Sequence, residues 1–357
     1  MTQSRTSSRR DILAAGATAM AGAVMAGPAG AQAPQGLAST AASGAGAAVR
    51  SGSGLRLVTF APGQSDAPRV GVVKPDGKVI DVAAAAKGGK LSFDPTSMVS
   101  LIAAGRPGLD EVRRIAEAAS DGPMVDSVRL FAPVPKPTRN VYAVGWNYLE
   151  HFAEGQAVRE QKSEYPEHPV FFTKGVHTIN GPYDPIPYDS QVSTQIDWEC
   201  ELAVVIGQRG RNISEADALK HVFGYTVIND TTARDMQIKR HGGQWFKGKS
   251  LDGHGPIGPW IVPADQLDPD NLHLITRVNG VVKQDASTKQ MYFKVPRIIA
   301  ELSLGLTLEP GDIIATGTPP GVGNARKPPE FMKPGDVMET EIAEIGILRN
   351  TIQQVPV

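Results

Sequence analysis

Hydrophobic and polar positions alternate along Leu55–Phe60 and Val70–Val73, the period-two pattern of half-buried strands. Pro75-Asp76-Gly77 separates Val72-Val73 from Val79-Ile80 and predicts a hairpin turn. Between Pro95 and Ala119 the period changes: Leu101, Ile102, Leu109, Val112 and Ile115 fall at near-helical spacing. A proline-rich hinge, Pro133–Pro137, leads into a second, strand-rich region. Strands are predicted there at Val141–Val144, Val170–Thr173, Cys200–Ile206, Tyr225–Asn229, His273–Val278, Asp312–Ala315 and Val337–Ile342. Helices are predicted at Tyr148–Glu154, Glu215–Leu219, Thr232–Lys239 and Val295–Leu302. Strands outnumber helices and their connections vary in length. The predicted class is α+β and mostly β: a mixed β-roll with peripheral helices over 138–357, preceded by a small α/β module over 55–132. The 38 glycines and 28 prolines fit such a turn-rich fold.

The first fifty residues break this pattern. Ser8-Arg9-Arg10-Asp11 precedes an Ala/Gly-rich apolar stretch that carries no charge before Arg50. Ala31-Gln32-Ala33 offers small residues suited to cleavage. The stretch is poor in Leu, Ile and Phe, which disfavours a membrane anchor. Residues 1–33 therefore read as an export signal of the twin-arginine kind, with a periplasmic destination and no membrane contact once the signal is removed. Residues 34–54, almost all Ala, Gly and Ser, read as a flexible linker. One cysteine, Cys200, rules out an intramolecular disulfide, and its apolar surroundings make it a packing residue. A net charge of −1 gives no basic patch that would call for nucleic acid.

Candidate chemistry concentrates in five segments. In Asp197-Trp198-Glu199-Cys200-Glu201, strand alternation puts Glu199 and Glu201 on one face, and Asp230 closes a second strand. Like charges so close persist most easily around a cation, and an all-oxygen set suits Mg2+, Mn2+ or Ca2+ better than zinc. A solvated strand face is the plainer alternative. His151 and Glu154 lie three apart on a predicted helix, close enough for the carboxylate to orient the imidazole as a base. An incidental surface pair would look the same. Arg234 and Gln237 share a helical face just after Asp230, where an Arg can hold a carboxylate with two bonds. Lys247 and Lys249, and the Gly/Pro loop Ala315–Gly323, complete the set; the glycines permit close backbone approach to a ligand, and no phosphate-loop ending follows.

Taken together and in this order, these segments resemble the fumarylacetoacetate hydrolase family. The family's G-x-N-Y-x-x-H-x-x-E start is matched at Gly145–Glu154, its F-x-K stretch at Phe172–Lys174, and its E-x-E strand at Glu199–Glu201. Its G-Y-x-x-x-N-D-x-[ST]-A-R-D-x-Q block is matched at Gly224–Gln237, its G-K-S-x-D block at Gly248–Asp252, and its T-G-T-P-x-G-V-G loop at Thr316–Gly323. The resemblance covers 140–357. It implies a mostly-β roll, usually dimeric, with Glu199, Glu201 and Asp230 as metal ligands and His151 with Glu154 as a water-activating dyad. It implies Lys249 as the charge that stabilises an enolate, and Tyr148, Lys174, Arg234, Gln237 and Thr318 as substrate contacts. The family's eponymous eukaryotic hydrolases add an aspartate ligand in the first motif. Gly145-Trp146-Asn147-Tyr148 offers none, so the chain is more similar to the acylpyruvate hydrolase, oxaloacetate decarboxylase and isomerase branch.

The function this implies first is metal-dependent C–C cleavage, by hydrolysis or decarboxylation, of a small 2-oxo or 1,3-dicarbonyl acid such as an acylpyruvate. The alternative is keto–enol tautomerisation or double-bond isomerisation on the same metal platform. A non-catalytic periplasmic binder is a third reading, disfavoured by the intact dyad and lysine. The polar stretch Phe152–Pro169 is expected to act as a lid.

Overall fold

The computed structural model describes residues 54–63, 65, 67–157 and 164–356. The signal at 1–33, all of the linker except Gly54, and the middle of the expected lid lie outside the described residues. Among the described residues no helix is long and apolar enough to cross a membrane.

The centre is an 11-stranded mixed sheet. Its main path runs Val79–Asp81, Arg69–Val73, Arg56–Ala61, Gly255–Pro263, Val222–Asn229, Cys200–Ile206, Ile313–Ala315, Val141–Gly145 and Val170–Lys174. A five-stranded sheet runs Val281–Ser287, His273–Val278, Val337–Ile342, Gly346–Gln354 and Ile186–Tyr188. The architecture is mostly β with short helices at the periphery.

All seven residues of Cys200–Ile206 are buried, because both faces of this strand are covered. Cys200, Leu202 and Val204 pack with Leu274, Ile342 and Leu348 of the smaller sheet. Ala203 and Val205 pack on the opposite side with Leu101, Ile102, Leu109 and Val112 of the helix Met98–Ala118. Burial of such side chains contributes about 1.5–3 kcal/mol each. The expected helix over this region forms, but it is broken at Gly105, whose φ of 62° is left-handed, just before Pro107.

Residues 55–132 are continuous with the rest. Leu57 pairs with Ile261 across the sheet, the Thr59 hydroxyl donates to Pro133 O at 2.6 Å, and Val134 is buried in the same apolar cluster as Leu101. The Pro133–Pro137 segment is thus held against the sheet at its start. Residues 232–233 form a short strand with Ile196–Asp197, so the helix predicted from Thr232 begins at Arg234.

Candidate active site

The site lies where the Cys200–Ile206 strand begins and its antiparallel partner Val222–Asn229 ends. Asn229 ties the two ends together: its Oδ1 accepts the Glu199 N–H at 3.1 Å and the Thr231 hydroxyl at 3.0 Å. The Asp230 N–H donates to Glu199 O at 2.9 Å. Glu201, the same parity as Ala203 and Val205, thereby sits beside Glu199 and Asp230. One oxygen from each of the three carboxylates lies within 4.8 Å of the others.

Three cations surround this cluster. Lys249 Nζ donates to Glu199 Oε2 at 2.5 Å and to Asp230 Oδ2 at 2.7 Å. Gly248 makes that reach feasible, since a Cβ there would stand 2.5 Å from Gln237 N. Arg234 donates through Nη2 to Glu199 Oε1 at 2.7 Å, through Nε to Asp197 Oδ2 at 2.7 Å, and through Nη1 to Gln237 Oε1 at 3.0 Å. Lys174 Nζ lies 2.9 Å from Asp230 Oδ1, although its hydrogen bonds are aimed at the carbonyls of Thr231 and Lys249.

At Glu199, Glu201, Lys249 and Lys174 burial opposes the charge, and the balance with the neighbours differs from group to group. For Glu199, burial would raise the carboxyl, but Lys249 and Arg234 outweigh it and hold it at about 2. For Glu201, burial and then the charges of Asp230 and Glu199 act in the same direction, pushing the carboxyl well above its usual range. Burial likewise opposes the Lys249 ammonium, yet Asp230 and Glu199 raise it. At Lys174 burial wins and the ammonium is lowered despite Asp230.

The donor set fits a hard divalent cation. Asp230 Oδ1 is buried with no well-aimed hydrogen bond among the described residues, its nearest cation being Lys174 at 2.9 Å, and the like charges of Asp230 and Glu199 at Glu201 are offset in part by Lys249 and the Gly317 N–H. Three carboxylate oxygens with neither thiolate nor imidazole among them are the ligands Mg2+ or Mn2+ takes.

His151 faces the same small cavity as Glu199 and Glu201. Its Nδ1 is 2.7 Å from Glu154 Oε1, and Glu154 Oε2 accepts the Gly321 N–H at 2.9 Å. With Nδ1–H given to Glu154, Nε2 is the atom left to take a proton. The predicted Gly/Pro loop is read by three acids of the site: Glu201 accepts from Gly317 N at 2.7 Å, Glu154 from Gly321, and Asp197 from Gly323 N at 2.7 Å.

The structure therefore gathers His151, Glu154, Lys249, Glu199, Glu201, Asp230, Arg234 and Gln237 in one place. Of the other three expected substrate contacts, two lie off the cavity and one lines it. Lys174 is completely buried and does not line the cavity: its ammonium sits against Asp230 Oδ1 and donates to the carbonyls of Thr231 and Lys249. Tyr148 is equally buried off the cavity, and its hydroxyl has no hydrogen-bond partner among the described residues. Thr318 lines the cavity, and its hydroxyl donates to Cys200 O at 3.0 Å and accepts from Gln284 Nε2 at 2.8 Å.

Two residues were missed. Asp197 is fully buried and joins Arg234 to the loop; it has the same strand parity as Glu199 and Glu201, a signal present in the sequence. Gln284 comes from the other sheet and left no local signal.

This fold and site belong to a known class. The family model for the fumarylacetoacetate (FAA) hydrolase C-terminal region matches residues 140–353, and the chain belongs to that family of enzymes. Among curated relatives, the oxaloacetate tautomerase YisK of Bacillus subtilis is 43% identical over 293 residues, covering 79% of this chain and 95% of that one. The mitochondrial oxaloacetate tautomerase FAHD2A of Homo sapiens is 41% identical over 303 residues, covering 84% and 91%. Among solved structures, a putative HpcE protein from Mycobacterium smegmatis superposes with a TM-score of 0.72 at 36% identity, covering 84% of this chain and 100% of that one. A maleylpyruvate hydrolase from Sphingobium sp. SYK-6, in complex with manganese(II) and pyruvate, does so with a TM-score of 0.66 at 29% identity and the same coverage.

Proposed function

We propose that this chain is a divalent-metal-dependent keto–enol tautomerase of a small 2-oxo diacid of the oxaloacetate kind. The observation that carries the reading is that His151, with Nε2 left to accept a proton, lines the same cavity as Glu199 and Glu201 of the acidic triad. The curated relatives named as oxaloacetate tautomerases support tautomerisation over cleavage, since they match this chain over about four-fifths of its length.

Glu199, Glu201 and Asp230 would hold the cation, with Mg2+ or Mn2+ the ions we favour. A bound cation would supply Lewis-acid polarisation of the keto group and hold the 2-oxo acid head. Arg234 has five N–H donors and three are committed within the protein, so two remain for a substrate carboxylate. His151 Nε2 takes the proton from C3 of the keto form and passes it to the enolate oxygen to complete the enol, the two transfers running backwards in ketonisation, while Glu154 steadies the imidazolium that forms between them. The Lys249 ammonium adds positive charge beside the enolate oxygen.

The test is ketonisation of enol oxaloacetate, followed by loss of enol absorbance. Chelator-treated protein should be slow, and added Mg2+ or Mn2+ should restore the rate. Proton NMR should show the carbon skeleton intact. Release of pyruvate or another fragment as the main product would instead favour cleavage, the reading the sequence put first. That second reading keeps one observation in its favour: the His151–Glu154 pair would also activate a water.

We also infer export by the twin-arginine route to the periplasm and assembly as a homodimer. Replacing Arg9 and Arg10 with Lys should leave the precursor in the cytoplasm on fractionation, and light scattering of the mature chain should give twice the monomer mass.

A further inference from the structure

Over the acidic floor of the site stands an aromatic wall. Trp146 and Trp245 meet edge to face, with ring centroids 5.0 Å apart and planes at 74°. Phe172 extends the wall on one side, 5.3 Å from Trp245, and Phe152 on the other, 5.8 Å from Trp146. Trp146, Phe172 and Trp245 all line the cavity, and all three rings are half-buried, as befits its mouth.

This wall is held in place at a cost. Trp146 has a φ of 57°, a left-handed conformation that a bulky side chain rarely adopts. Its carbonyl accepts the Tyr165 hydroxyl at 2.6 Å, which fixes the turn. Trp245 lies directly on the backbone of Gly145: a Cβ there would come within 2.3 Å of Cζ3. The glycine is needed so that the indole can lean over the site. Backbone strain maintained beside a cavity points to a role in what the cavity admits.

The space beneath the rings is about 40 Å³, lined by Glu199, Glu201, Arg234 and Lys249 on its floor. That is a chamber for a cation and the chelating head of a ligand. Among the described residues, Trp146, Phe172 and Trp245 are the rings that line this cavity.

The geometry points to the Trp146–Trp245 pair as the specificity element, admitting 2-oxo acids whose far substituent is no larger than a carboxylate and rejecting acylpyruvates with a long or aromatic acyl arm. This rests on the proposed reading of the site as one for small 2-oxo acids. A ring removed at either position would open a channel from the floor to solvent while leaving the acids, Arg234 and His151 untouched.

The test is calorimetric binding to the full chain in the presence of Mn2+, with oxalate as the small probe and benzoylpyruvate as the extended one. Wild-type protein should bind oxalate and reject benzoylpyruvate. Trp245→Ala should tighten benzoylpyruvate by roughly tenfold or more while moving oxalate by less than about twofold. Trp146→Gly, in which glycine adopts the same φ without strain, should do the same and carries the test if Trp245→Ala does not fold. Equal binding of both probes by wild type, or equal changes for both probes in the folded variants, would overturn the proposal. Because these are binding measurements, absence of tautomerase turnover would defeat the functional reading without touching this one.

Discussion

The acid cluster at the start of the Cys200–Ile206 strand and the His151–Glu154 pair on the Leu149–Ala157 helix face one cavity, yet they are built differently. The first is almost wholly buried and tied into ion pairs with Lys249, Arg234 and Lys174. The second leaves the His151 and Glu154 side chains 12% and 22% exposed, joined to each other and to one loop N–H. A centre that holds a cation must be rigid and dry, so that its charges are strong and already in place. A group that moves a proton needs one fixed nitrogen and one free one. The same helix-and-loop attachment that leaves the pair partly solvated also lets it change protonation without breaking a buried charge pair.

The contrast predicts opposite costs for substitution. Asp197→Ala, in the buried half, should be the most damaging to folding. It leaves the buried Arg234 without one of its two carboxylates and frees two loop N–H groups, a loss of about 3–5 kcal/mol read by urea unfolding. A loss below about 1 kcal/mol would mean the buried half tolerates unpaired charge, and the distinction would fall. His151→Asn, in the open half, should lower kcat roughly 10²–10⁴-fold while stability stays within about 0.5 kcal/mol. Equal damage to folding would erase the comparison from the other side.

A third measurement sharpens it by pH. His254 is buried outside the cavity, with Nε2 2.8 Å from Pro187 O, and burial lowers its pKa to about 4 from an ordinary 6.5. The unfolded chain therefore binds the extra proton first. The stability this residue contributes is present above about pH 6.5 and is lost as the pH falls toward 4, with a limit of about 3 kcal/mol. His254→Gln should flatten that part of the Tm-against-pH curve; an unchanged slope would assign the loss to the carboxylates.

The smallest effect is expected at Tyr148. Its hydroxyl is buried without a hydrogen-bond partner among the described residues, so Tyr148→Phe should leave kcat within about twofold and stability unchanged or slightly higher. A large fall in kcat/KM would return Tyr148 to the substrate-contact role that the family resemblance implied.

Much of this was legible along the chain. The apolar run in Cys200–Ile206 and the parity of Glu199 with Glu201 pointed to a strand and two acids on one face, and both appear. Helical spacing put His151 beside Glu154, and they meet at 2.7 Å. These are local facts, set by periods of 2 and 3.6 residues. The strand Gly255–Pro263 was illegible because three of its nine residues are prolines. Its place in the sheet comes from an irregular register, in which Tyr225 pairs with Val262 and Val227 with Gly258.

What the sequence by itself determined was the identity and spacing of the charged groups, the strands that carry them and the family they belong to. Which of those groups face the cavity was decided by tertiary structure. Lys174 and Lys249 are both invited by their neighbourhoods, but the first pairs with Asp230 away from the cavity and the second lines it and spans Asp230 and Glu199. Asp197, Gln284 and the Trp146–Trp245 wall acquire roles from partners 34 to 126 residues away in the chain. Burial, ion pairing and ring contact depend on distance in space, and a one-dimensional pattern records distance along the backbone alone.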